Sequence, residues 1–286
     1  MKTKHRGWIY ILLLIIPYIL IIAIFQLIGY GLAGYEFGDS ADKENVFREV
    51  YGSYLTLAAT LLTLWLFMRY VDRLPFVELG FQIKDRLKEF FVGVLGGGVI
   101  MIIGFLILIA FNEINFTNFF YDGIQLLLSV LLFVSVAVLE EVLLRGYILR
   151  NLMISFNKYV ALVISSLLFA SMHLANPNMD LFSFIDLFLA GILLGISYIY
   201  TKNLWFPIGL HLGWNFFQSL LGFNVSGQDF YSLVEFKIAE ANTFNGGAFG
   251  FEGSILSIIA EILFIFTIWY YYFKKQPTNT LEKTAQ

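Results

Sequence analysis

Three short groups of residues in this 286-residue chain have the types and spacing that chemistry needs. They are Glu140-Glu141-x-x-x-Arg145, Phe169-x-x-x-His173 and His211-x-x-x-Asn215. A carboxylate in apolar surroundings holds its proton to higher pH and so becomes a competent base near neutrality. A histidine beside it can orient a water, and a further histidine and an asparagine can donate hydrogen bonds to a developing oxyanion. Together they would add water to a carbonyl. The same Glu140, His173 and His211 could instead ligate Zn²⁺ as a His₂Glu set with one open position. The residue types leave both versions open.

All three groups fall in long apolar stretches, so helices must position them. At about 100° per residue, Arg145 lies about 40° from Glu141 on the helix circumference but about 140° from Glu140. Glu141 and Arg145 can therefore pair at i,i+4, which leaves Glu140 without a partner on its own helix. Phe169 and His173 share one face of the next helix, and His211 and Asn215 share one face of a later one. Measured along upright helices from one membrane face, His211 lies about 10 Å deep, Glu140 about 15 Å and His173 about 22 Å. Tilt of the His173 helix is needed to bring all three to one depth.

Composition says what kind of protein carries these residues. The chain is 59% hydrophobic and 14% charged, whereas a soluble domain carries about 25% charged residues. It is read as an integral membrane protein. Its net charge of −3 excludes a nucleic-acid binder built on a basic surface. It has no cysteine, which excludes disulfides, a cysteine nucleophile and thiolate metal ligands. Of the three histidines, His5 sits in a basic N-terminal tail and reads as a solvated residue.

A hydrocarbon core takes about 20 residues of helix. Eight apolar stretches approach that length, at 8–33, 49–71, 90–111, 123–149, 158–175, 180–201, 204–223 and 254–273. The expected fold is thus all-α and polytopic, with about eight transmembrane helices and both termini on one side. The first stretch is too long for a cleavable signal and reads as a retained anchor. Of the 18 basic residues, all but Lys43, Arg48 and Lys237 fall on the side of the termini. The positive-inside bias makes that side the cytoplasm and places the protein in the cell membrane. Residues 76–89 mix Phe76, Val77, Leu79, Phe81, Ile83 and Leu87 with charges and read as an amphipathic helix in the cytoplasmic interface. Glycines four apart, Gly93/Gly97, Gly191/Gly195 and Gly209/Gly213, predict close helix packing and interior positions for the third, sixth and seventh helices.

Other hydrolase chemistries can be tested by absence. The chain has no His-Glu-x-x-His and no Gly-x-Ser-x-Gly. Asp186 lacks the partner that a paired-aspartate mechanism requires, and Asp186 and Glu261 read as structural polar contacts.

In order and spacing the three groups resemble the motifs of the CPBP (CAAX prenyl protease and bacteriocin-processing, or Abi) family of intramembrane endopeptidases. The resemblance covers residues 79–223, from the Leu79-Gly80-Phe81 run onward. It implies an eight-helix protease with a cavity open to the cytoplasm. Within it, Glu140 is the water-activating base, Glu141 supports it, and His173 belongs to the second motif. His211 and Asn215 stabilise the oxyanion, and Phe169 shapes the pocket, with Arg145 grouped with Phe169 at the substrate. The family carries a metalloprotease label, so Zn²⁺ on Glu140, His173 and His211 is one expectation and a metal-free glutamate mechanism the other. The expected division is 1–78 for two N-terminal helices, 79–223 for the catalytic core, and 224–286 for an external loop, last helix and tail. The expected partners are the lipid bilayer and a peptide or membrane-protein substrate. A bacteriocin-immunity or scaffolding protein that only binds is the alternative, but it has no need of Glu140, His173, His211 and Asn215 together. A proton-relay transporter would show inverted repeats, and the chain shows none.

Overall fold

A computed structural model describes residues 6–34 and 46–275; His5, the charges of the first connection between 35 and 45, and Lys283 lie outside the described residues. The chain is helical at all eight expected places. The helices are α1 (Gly7–Ala33), α2 (Val46–Leu66), α3 (Leu87–Ala110), α4 (Gly123–Glu141), α5 (Arg150–Ser155), α6 (Lys158–Met172), α7 (Leu181–Ile196), α8 (Tyr198–Thr201), α9 (Trp205–Leu220) and α10 (Ile255–Lys275). Helices α4 and α5 are one continuous rod, joined by π-helical turns over Val142–Leu149. Helix α8 continues α7, and α2 ends in a π-helical turn, Phe67–Asp72. The protein is a multi-pass, all-α membrane protein.

Six of these helical rods are long and apolar enough to cross a bilayer. Helices α6 and α9 are shorter than expected, at 15 and 16 residues. At 1.5 Å per residue they reach about 22–24 Å, short of a hydrocarbon core of about 30 Å. Helix α6 stops at His173, just before the turn that holds Asn176 and Pro177, and α9 stops before Gly222, whose φ is 95°. Both carry site residues; α9 exposes no residue along its length, whereas α6 keeps Val160, Val163, Leu167 and Leu168 exposed on its outer side. In α1, likewise, Leu12, Ile16, Ile19 and Leu27 stay exposed, as expected of a helix whose outer side meets acyl chains.

The paired glycines account for the packing of α9. Helix α3 lies along it so closely that a methyl group at Gly209 or Gly213 would overlap the carbonyls of Phe90 and Val94. One at Gly93 would meet the Leu210 nitrogen at 2.6 Å. On the other side of the bundle, Gly191 of α7 faces Ser166 of α6 at a comparable 2.8 Å. Without side chains at these points, backbones approach and dispersion contacts multiply. The result pins α9, and with it His211 and Asn215, in the interior.

Two expectations need correction. Residues 76–89 do not form an amphipathic surface helix. One 3₁₀ turn, Phe76–Leu79, follows Pro75, and Gly80 (φ 123°) and Asp85 (φ 62°) end any helix there. The segment is instead strapped to the α8–α9 turn. The Tyr198 hydroxyl donates to the Leu79 carbonyl (3.0 Å), Asn203 to that of Gln82 (2.8 Å), and the Leu204 amide to that of Gly80 (3.0 Å). The second correction is a small antiparallel sheet between segments expected to be loops. Strand β1 (Ile114–Phe119) pairs with β2 (Val234–Ile238), Ile114 opposite Ile238 and Phe119 opposite Val234.

The alternation of helices defines two faces. Gly7 and Lys275 mark the face of the termini, whereas Ala33, Val46, the sheet and residues 221–254 lie at the opposite, distal face.

Candidate active site

The end of α4 sets the two glutamates apart, as helix geometry predicts. Glu141 is fully buried, and its Oε1 accepts from Arg145 Nη1 at 2.8 Å. The same oxygen accepts from His211 Nδ1 at 2.9 Å. This bridge from α4 to α9 spans 70 positions of sequence and is not visible in any local pattern. Arg145 Nη2 donates to the Gly191 carbonyl at 3.1 Å, and the guanidinium lies 4.6 Å from the centre of the Phe169 ring. Expected in a turn and beside substrate, Arg145 is instead a buried strut behind the site.

Both histidines have their tautomers set by their partners. A carboxylate paired with arginine only accepts, so His211 Nδ1 carries its proton and Nε2 is left for the cavity. His173, at the end of α6, places Nδ1 2.9 Å from the Phe169 carbonyl. A carbonyl also only accepts, so here again Nε2 is the available nitrogen. The Phe169 ring touches both, at 4.9 Å from the His173 ring and 6.2 Å from that of His211.

Glu140, Phe169, His173, His211 and Asn215 line one cavity of about 580 Å³. Glu140 Oε2 is buried there and has no hydrogen-bond partner among the described residues. The first two helices, expected to lie outside the catalytic core, form part of the wall through Gln26 and Tyr30 of α1 and Ser53 and Thr56 of α2. A third, unexpected contribution comes from the distal face. Asn176, Ser226, Gln228 and Phe230 border the cavity, as do Glu252 and Glu261. Burial raises the pKa of Glu252 from its ordinary value, against the opposing effect of its hydrogen bonds from Ser226. No pattern around Glu252 or Glu261 marked them as part of the site, since they follow the motif region.

The cavity therefore extends from the middle of the bundle towards the distal face. In this fold a cytoplasmic mouth and cytoplasmic termini exclude each other, because the termini lie on the other face.

Residues 122–217 match the family of type II CAAX prenyl endopeptidases, Rce1-like. That interval contains all three motifs. Over 225 residues the chain is 26% identical to the "Putative membrane peptidase YdiL" of Bacillus subtilis (strain 168), covering 76% of this chain and 89% of that protein. Together these likenesses support a CPBP family protein. No solved structure matches the chain. At family level the likeness is to CAAX-type membrane proteases, and the six long apolar helices agree with a multi-pass protein of the membrane.

Whether this site suits a metal can be judged from its donors. Glu140, His173 and His211 do not close into a ligand set. Among the described residues, no group of three or more histidine or carboxylate side chains is placed to hold one ion.

Proposed function

We propose that the protein is an intramembrane endopeptidase that hydrolyses a peptide bond of a membrane-associated protein or peptide, using water activated by Glu140. The observation that carries this reading is the buried, partnerless oxygen of Glu140 on a cavity wall shared with His173, His211 and Asn215. Glu140 takes a proton from water, and the hydroxide attacks the scissile carbonyl. His173, with Nε2 available, orients that water. Asn215 donates to the oxyanion. His211 can donate from Nε2 only when it carries a second proton, and the Glu141 carboxylate at Nδ1 is the counter-charge for that form. The proton held by Glu140 then passes to the leaving amine, which closes the proton account. Arg145 and Phe169 act by holding Glu141 and the two imidazoles in place.

We also keep the orientation that the basic residues favour, with termini in the cytoplasm, so that substrate enters from the external side. A reporter at Gly246 should then read as external and one at Lys84 as cytoplasmic; the reverse pattern would return the mouth to the cytoplasm.

Comparing membrane proteins of cells that express wild type or Glu140→Ala tests the activity. A fragment produced only by wild type is expected, and identical profiles would count against proteolysis. Chelation decides the cofactor. Purified protein should contain no stoichiometric zinc and should keep cleaving after treatment with a strong chelator. Loss of activity on chelation and its return with zinc would overturn the metal-free mechanism.

A further inference from the structure

The cavity is lined by Glu49, Glu140, Glu252 and Glu261, and by no lysine or arginine among the described residues. Arg145 does not relieve this imbalance, because it lies behind the wall and is tied to Glu141 and Gly191. Two of the four carboxylates lie beyond the catalytic residues. Glu252, in the 3₁₀ turn Phe251–Gly253, accepts from the Ser226 amide at 2.6 Å and from the Ser226 hydroxyl at 2.9 Å. Those bonds aim it as an acceptor. Glu261, on α10, is fully buried, and neither of its oxygens has a hydrogen-bond partner among the described residues. Asp186 of α7 is also fully buried and interacts electrostatically with both. Glu252 interacts in the same way with His173, which places this cluster beside the catalytic residues.

Buried carboxylates without a partner persist only if a proton or a cation neutralises them. A compact metal ion does not suit the cluster, because its members do not converge as a ligand set. An extended cation that donates several hydrogen bonds does, since its charge can be shared among separated oxygens. The walls around it, including Leu187, Leu193 and Phe230, suit an alkyl stem.

We propose that Glu252 and Glu261, backed by Asp186, form a subsite for an ammonium or guanidinium group, so that the preferred peptide substrate carries a positive charge near its scissile bond. The reference to substrate rests on the protease function proposed above; the cation site itself does not.

The absence of cysteine permits a direct test. Gln228, exposed at the cavity edge, is replaced by cysteine in the full-length protein purified in detergent. The rates at which trimethylammonium-ethyl and sulfonatoethyl methanethiosulfonate convert it to a mixed disulfide, releasing methanesulfinate, are then compared, each normalised to a free thiol. Focusing of a cation by the carboxylates should favour the ammonium reagent by about tenfold or more. Glu252→Gln with Glu261→Gln should bring the ratio close to one, whereas Glu140→Gln alone should leave most of it. A ratio near one in the Gln228→Cys protein, which needs no charge variant and so no test of their folding, overturns the proposal. So does a preference that vanishes only with Glu140→Gln.

Peptides supply the second arm. An N-acetylated apolar peptide with one lysine should slow modification of the cysteine more than its norleucine counterpart. Equal protection by a norleucine peptide with a free N-terminus would assign the site to an α-amine instead. If neither charged peptide protects better than the neutral one, the substrate assignment fails. Because modification of the thiol does not depend on cleavage, a charge preference in a protein without protease activity would sink the protease reading and leave the cation site standing.

Discussion

Glu140→Gln is expected to leave the protein folded and abundant and to abolish peptide-bond cleavage. The amide keeps the shape of the carboxyl group but cannot take a proton from water. Folding should survive because the buried Oε2 of Glu140 makes no hydrogen bond that the substitution would break. Asn215→Ala is the informative companion. An oxyanion donor acts in the transition state, so turnover should fall by roughly 10²–10³ while KM changes little. The two variants thus separate loss of the base from loss of a donor. Wild-type activity in Glu140→Gln would remove this residue from the mechanism, whatever the fate of Asn215→Ala.

Glu141→Gln should act quite differently, through stability. Its Oε1 joins a buried guanidinium to a buried imidazole. With the carboxylate gone, Arg145 keeps the Gly191 carbonyl and the Phe169 ring but loses its hydrogen-bonded counter-charge. Breaking one side of a buried ion pair costs about 3–5 kcal/mol, a large part of the roughly 5–15 kcal/mol that holds a typical protein folded. A marked drop in the thermal midpoint of the detergent-solubilised protein is therefore expected, with activity lost as well. The double variant Glu141→Gln/Arg145→Met should recover much of the stability, because it removes the buried charge that Glu141→Gln alone leaves uncompensated. It should not recover activity, since His211 Nδ1 still lacks its carboxylate. A single Glu141→Gln variant as stable as wild type would mean that the Arg145–Glu141 pair carries no structural weight.

What the sequence determined by itself is local. Hydropathy placed eight helices, because a bilayer demands continuous apolar runs whose backbones bond within each segment. Spacing of four residues put Glu141 with Arg145 and set Glu140 apart, because the pitch of a helix ties position to direction over a turn. Glycines four apart marked α3, α7 and α9 as helices that pack closely, because small residues let backbones approach, while which helix meets which was not in the spacing.

Everything that joins distant elements was left to the tertiary structure. The hydrogen bond between Glu141 and His211 depends on how α9 docks beside α4, which neither helix encodes alone. The short α9 meets protein along its whole length, so the length rule for a free-standing span does not govern it. Pro75, Gly80 and Asp85 outweighed an amphipathic pattern, because backbone geometry interrupts a helix however well its side chains alternate. The face on which the cavity opens, and the meeting of Asp186, Glu252 and Glu261, depend on a loop that folds back over the bundle. Those contacts lie far apart in the chain, where no periodicity reaches.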